Sequence, residues 1–208
     1  AVAVLISLPA LASADLVFTG FFDGPLVGGT PKGVELVALA DIADLSIYGI
    51  GSANNGGGTD GQEFTFPAES AAQGDVIYVA TDSEMFTAFF GFPPTYVDTG
   101  YAVSINGDDA MELFCNGEVI DTFGELDVDG TGQPWEHLDG WAYRNSFTYP
   151  DGMVFVLENW FFSGPNAWDD ELTNDTAAVP MPIGTYEFDP SVPAESQTLG
   201  GVKAMYGR

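Results

Sequence analysis

Four groups of residues in this chain are of types, and at spacings, that could do chemistry. The first lies in the stretch Ile105–Gly124 (INGDDAMELFCNGEVIDTFG). Ala110–Phe114 and Val119–Phe123 read as two short strands, and Asn116-Gly117 between them is the signature of a type I′ hairpin turn, which needs positive φ at both central residues. Closing the turn there sets Cys115 opposite Glu118 and Glu112 opposite Asp121. Two carboxylates face to face are unfavourable unless a cation, a proton or a basic side chain lies between them. Arg144, with Lys32 one of two basic residues in the folded body, is the expected partner, its planar fork matching Glu112 and Asp121; a bound cation is the other solution. The same register places Met111, Leu113 and Ile120 on one face and Ala110, Phe114, Val119 and Phe123 on the other. The hairpin is therefore expected inside a sheet, with cover on both sides.

The second group follows directly. Glu125, Asp127, Asp129, Gly130 and Glu136 fall at positions 1, 3, 5, 6 and 12 of a calcium loop, so Glu125, Asp127, Asp129 and Glu136 are the candidate ligands of a Ca²⁺ ion. Against this, Gly132 stands at the hydrophobic position, Pro134 intervenes and no helices flank the segment; a purely structural turn is the competing reading. The third group, His137 and Cys115, is the chain's entire complement of those two residue types. A single cysteine forms no internal disulfide, and neither residue has a nucleophile–base spacing. No G-x-S-x-G motif occurs, and the loop Gly51–Gly61 lacks the Lys-Ser/Thr ending of a phosphate-binding loop. No catalytic residue is expected. The fourth group is aromatic: Trp160, Phe162 and Trp168 form either an exposed platform for a glycan or protein partner, or packing at an edge strand.

The elements that must position these groups are strands. Of the 208 residues 46% are apolar, with 16 Phe, while 26 Gly and 13 Pro imply many turns, and long helical periodicity is absent. Strands are expected at Asp15–Phe22, Val34–Leu39, Asp41–Ile50, Glu63–Pro67, Val76–Thr81, Met153–Leu157 and Trp160–Phe162. Ser83–Phe90 is the helix candidate, with Ser83 as its cap and Phe86, Phe89 and Phe90 on one face.

Charge restricts the partners. Thirty-one acidic against 4 basic residues give a net charge of −27, a surface that repels phosphate backbones and anionic membranes, so no direct nucleic-acid binding is expected. Residues 1–14 (AVAVLISLPALASA) have the apolar run and Ala-x-Ala ending of a signal peptide, here a remnant of one, and are too short to span a bilayer. Secretion, with a mature chain beginning near Asp15, is the expectation. Residues 15–186 form the expected domain with its aromatic-rich extension, and 187–208 a polar linker and tail.

The ordered set of motifs resembles the lamin-tail (LTD) domain family, in the bacterial secreted branch found beside extracellular nucleases. The carriers are Glu35-Leu36, Asp44-Leu45-Ser46, Phe64-x-Phe66, the turn Gly74-Asp75 into an apolar strand, the N-G-D-D-A-x-E-L-F-x-N-G-x-V-I-D-x-F-G hairpin, and Trp135 with the later Arg144. The resemblance covers roughly residues 15–144; the loop 51–61 and the segment beyond Arg144 depart from it. It implies an all-β, immunoglobulin-like β-sandwich with long loops and one short helix. It also implies a non-catalytic protein of extracellular or cell-surface interaction or assembly, calcium-stabilised if the acidic loop binds metal. The alternative is an accessory domain related to extracellular nucleases and phosphatases.

Overall fold

The computed structural model describes residues 14–192; all but the last residue of the predicted signal segment and most of the C-terminal tail lie outside that range. Among the described residues ten strands form two sheets. The first has the order β10-β9-β1-β2-β5-β6, built from β1 (Leu16–Leu26), β2 (Thr30–Ala38), β5 (Val76–Ala80), β6 (Tyr96–Val97), β9 (Gly140–Arg144) and β10 (Trp160–Phe162). The second has the order β4-β3-β7-β8, from β3 (Tyr48–Ala53), β4 (Phe64–Thr65), β7 (Ala110–Cys115) and β8 (Glu118–Phe123). Inward residues of both sheets, among them Phe18, Phe21, Leu36, Ile50, Leu113 and Phe123, share one apolar core, so the chain is an all-β sandwich.

The first sheet is covered on its other face as well. The helix α1 (Ser83–Phe90) and the segment 168–188 bury a second cluster containing Val37, Phe86, Phe89, Trp141, Trp168 and Met181. Burial on both faces explains why β1 and β2 read as near-continuous apolar runs. The helix is capped by Asp82, whose side chain accepts from Met85 N at 2.9 Å, rather than by Ser83, and Gly91 ends it in the left-handed region.

Across the outer face of this sheet runs one cross-strand row: Tyr78, Glu35, Gly20, Tyr143 and Phe161, from β5, β2, β1, β9 and β10. Glu35 is fully buried. Its Oε1 accepts from Thr19 Oγ1 (2.7 Å) and the Tyr143 hydroxyl (2.8 Å), and its Oε2 from Gly184 N (2.7 Å).

The strand expected at Asp41–Ile50 lies instead at Tyr48–Ala53, after a 3₁₀ turn at Leu45–Ile47, and three further elements differ from the sequence expectation. The hairpin turn is at Asn116-Gly117, both at positive φ, but a β-bulge follows at once: Phe114 pairs with Val119, while Leu113 pairs with Asp121, leaving Ile120 as the extra residue. Glu112 thus faces Thr122, and the expected Glu112–Asp121 confrontation does not occur. The bulge turns Asp121 inward and brings Phe123, expected on the outer face, into the core beside Met111 and Leu113. Secondly, β8 is an edge strand, so the hairpin closes the second sheet rather than lying within it. Thirdly, Met153–Leu157 forms no strand: the chain meets the edge of β8 through Gly152 N and Ile120 O (3.1 Å) and then turns away, while Gly140–Arg144, unassigned in the sequence, supplies a strand of the first sheet.

Candidate functional site

The polar turn Asn106–Asp109 at the head of the hairpin is a meeting point of several remote segments. Asp109 is buried, and its carboxylate accepts from Asn55 N and Asn106 N, both at 2.9 Å. The Lys32 ammonium arrives from β2 and donates to Asp23, to Ile105 O (2.8 Å) and to Asn106 Oδ1 (2.9 Å). The turn also uses its carbonyls: Gly107 O accepts from His137 N (2.8 Å) and Asp108 O from Gly130 N (3.0 Å). Gly107 has φ +77°, and a Cβ there would collide with the backbone nitrogen of Leu138. One turn thereby fixes three distant segments: the loop at Asn55, the β1–β2 hairpin through Lys32 and Asp23, and residues 130–138.

Those contacts explain the acidic segment after the hairpin. Asp129 Oδ1 accepts from Thr131 N (2.9 Å) and Glu136 Oε2 from Gly132 N (2.8 Å), so both carboxylates bond amides of their own turn. Glu125 and Asp127 are exposed and line a shallow depression of about 370 Å³ with Thr122, Met153, Val154 and Phe155. The four predicted calcium ligands are strung along the turn, and among the described residues no three His, Cys, Asp or Glu side chains gather to hold a metal ion.

Arg144 reaches across the sandwich from β9 to β8. Its Nη2 donates to Asp121 Oδ1 (2.9 Å) and Oδ2 (2.7 Å), its Nε to Phe18 O (2.6 Å) and its Nη1 to Tyr149 O (2.9 Å). Asp121 accepts in addition from Phe18 N and Asp151 N, both at 3.1 Å. Strand β9 ends at Arg144, and its pairing with β1 begins only at Gly20. The N–H and C=O of Phe18 therefore need other partners, and the buried ion pair supplies them. The guanidinium also lies 4.5 Å from the centre of the Trp160 ring. Glu112, expected to share this arginine, instead lies buried on the far face of β7, with no partner for its Oε2 among the described residues.

His137 is fully buried, edge-on to Phe123, and its Nδ1 lies 3.1 Å from Trp135 O, an acceptor, which makes Nδ1 the protonated nitrogen. Burial depresses its pKa to about 4. Cys115 is buried at the turn. Of the two readings of the aromatic group, packing is the one these side chains follow. Trp160 packs on Phe21 and Phe123 in the central core, Trp168 is 0% exposed against Phe89 in the second cluster, and the half-buried Phe162 packs against the central core. The β10 aromatic that faces solvent is Phe161, 58% exposed.

The roles of Lys32, Asp23, Asp109 and Glu35 had no sequence signal beyond their rarity or turn chemistry; the scarcity of basic residues in an acidic chain was the usable hint for Lys32. Burial pushes the Asp23 and Asp121 carboxyls up to about 6, against the pull of Lys32 and Arg144 respectively, and pushes Glu35 upward with no cation opposing it. Between an ordinary carboxylate value and about 6 the folded chain holds more protons at these sites than the unfolded chain, so stability falls as pH rises. His137 has the opposite sign: the unfolded chain holds its proton between about 4 and 6.5, and stability rises with pH there. Three raised carboxyls and the net charge of −27 outweigh one histidine. The melting temperature is expected to fall from about pH 5 to about pH 8, and added salt to narrow the gap. A melting temperature that rises over this interval contradicts the assignment of these groups.

Comparison with family models, with curated proteins and with solved structures finds no match to this chain.

Proposed function

We propose that this chain is a secreted, non-catalytic module of lamin-tail, immunoglobulin-like type that works through extracellular or cell-surface contacts or by assembly. One observation carries the reading: the groups with the greatest chemical potential are spent inside the fold. Asp121 and Arg144 serve Phe18, Asp109 and Lys32 serve the hairpin turn, and His137 is sealed beneath it. What faces solvent is a carboxylate shell, because both basic side chains of the described residues, the half-buried Lys32 and the buried Arg144, are held in ion pairs. The motif order that resembles the lamin-tail family supports the fold type, since the N-G-D-D turn, Trp135 and Arg144 all act as framework here.

Calcium enters this reading as a counter-ion of the acidic shell rather than as the occupant of a built site. Light scattering and electron microscopy of the secreted protein, with and without millimolar calcium, test both parts. The reading expects partner capture or self-association, with calcium and magnesium acting alike by relieving repulsion. Turnover on a hydrolase substrate panel that disappears in Glu112→Gln would overturn it.

A further inference from the structure

The segment Met181–Phe188 crosses the outer face of the six-stranded sheet as a strap. Met181 fills the notch left by Gly20, where any larger residue would collide with the Met181 methyl group. Gly184 N donates to Glu35 Oε2, and Thr185 N and Tyr186 N both donate to the Tyr143 hydroxyl, at 2.9 and 3.0 Å. Tyr143 in turn donates to Glu35, so all three strap amides depend, directly or through one phenol, on a single carboxylate. A Cβ on Gly184 would lie 3.0 Å from the hydroxyl of the half-buried Tyr78, so the strap also passes close over Tyr78. The ionisable groups facing Glu35 are Tyr143 and Tyr78; from β1 it meets Thr19 and Gly20, and from the strap Gly184. None of these is cationic. A buried carboxylate satisfied only by neutral donors is costly when charged, and hydration on opening relieves that cost.

We propose that Glu35 is a proton-controlled latch, so that taking up a proton seals residues 181–188 onto the sheet and losing it loosens them. The direction follows from linkage. Burial raises the Glu35 pKa in the closed state, whereas an opened, hydrated Glu35 has an ordinary one. Deprotonation therefore favours the open state. The opened strap bares the notch at Gly20 together with the Tyr143 hydroxyl, while the sandwich core on the other face is untouched.

The test is native-state amide exchange on the intact protein, with rates divided by their intrinsic values, between about pH 5 and pH 9. Protection of the Gly184, Thr185 and Tyr186 amides is expected to fall roughly tenfold or more, while amides of β7, which report global opening, fall less. In Glu35→Gln the strap is expected to hold constant protection. Should that variant not fold, carboxyl-¹³C NMR of the wild type decides: the Glu35 resonance titrates above the ordinary range, with the same midpoint as the loss of strap protection. A strap whose protection does not fall with pH, a fall matched by β7, a fall of the same size in Glu35→Gln, or a Glu35 titration in the ordinary carboxylate range overturns the proposal.

Discussion

Replacing Arg144 by alanine is expected to lower stability by roughly 3–5 kcal/mol, the range for removing one partner of a buried ion pair. The cost has identifiable parts. Asp121 becomes an uncompensated buried charge, Phe18 O and Tyr149 O lose their donor, and Trp160 loses the guanidinium stacked on it. For a domain of this size the melting temperature should drop on the order of 10 °C. The deficit should also depend on pH. Without Arg144 the pKa of Asp121 rises further, because the largest opposing influence is gone. At acid pH the carboxyl takes up a proton and the buried charge disappears, so the loss is expected to be larger near pH 7.5 than near pH 4.5. Denaturant melts of both proteins at the two pH values check this. Equal stability of Arg144→Ala and wild type at neutral pH would show that the pair is not what ties the two sheets together.

The second large effect is expected at Gly107. Alanine there must adopt φ +77°, which costs about 1–2 kcal/mol, and its Cβ drives the backbone at Leu138 away. Overpacking against backbone adds roughly 1–3 kcal/mol, since no side chain can rotate to make room. The displaced segment carries Gly107 O away from His137 N and Asp108 O away from Gly130 N. By contrast Gly117, also at positive φ, has open space around it, so Gly117→Ala should show only the backbone strain.

Much of the architecture could be read from local pattern. Asn116-Gly117 located the hairpin, the Phe86, Phe89 and Phe90 spacing located α1, and Gly, Pro and apolar runs indicated an all-β chain. What could not be read locally was set by partners far along the chain. The alternation in Val119–Phe123 fits either register. The bulge at Ile120 is decided by Arg144, 23 residues beyond Asp121, and by Phe18, 103 residues before it. The calcium-like spacing at Glu125–Glu136 arose because turns built on Asp and Gly use the same residue types as ion loops. Here Asp129 and Glu136 close on amides inside the turn. Trp168 gave no hint of its depth, because its cover comes from α1. Lys32 and the Asn106 turn are 74 residues apart, and nothing in their spacing announces the contact.

The central claim is that the Asn106–Asp109 turn is a framework joint that holds the remote loop at Asn55 and residues 130–138 together. Amide exchange measured together at Asn55, Gly130 and His137 tests it most directly, because each of those N–H groups donates into this one turn. In the wild type all three are expected to exchange as slowly as the β7 core, and in Gly107→Ala to accelerate together while β7 changes only by the global loss. Fast, independent exchange of the three amides in the unaltered protein would contradict the account.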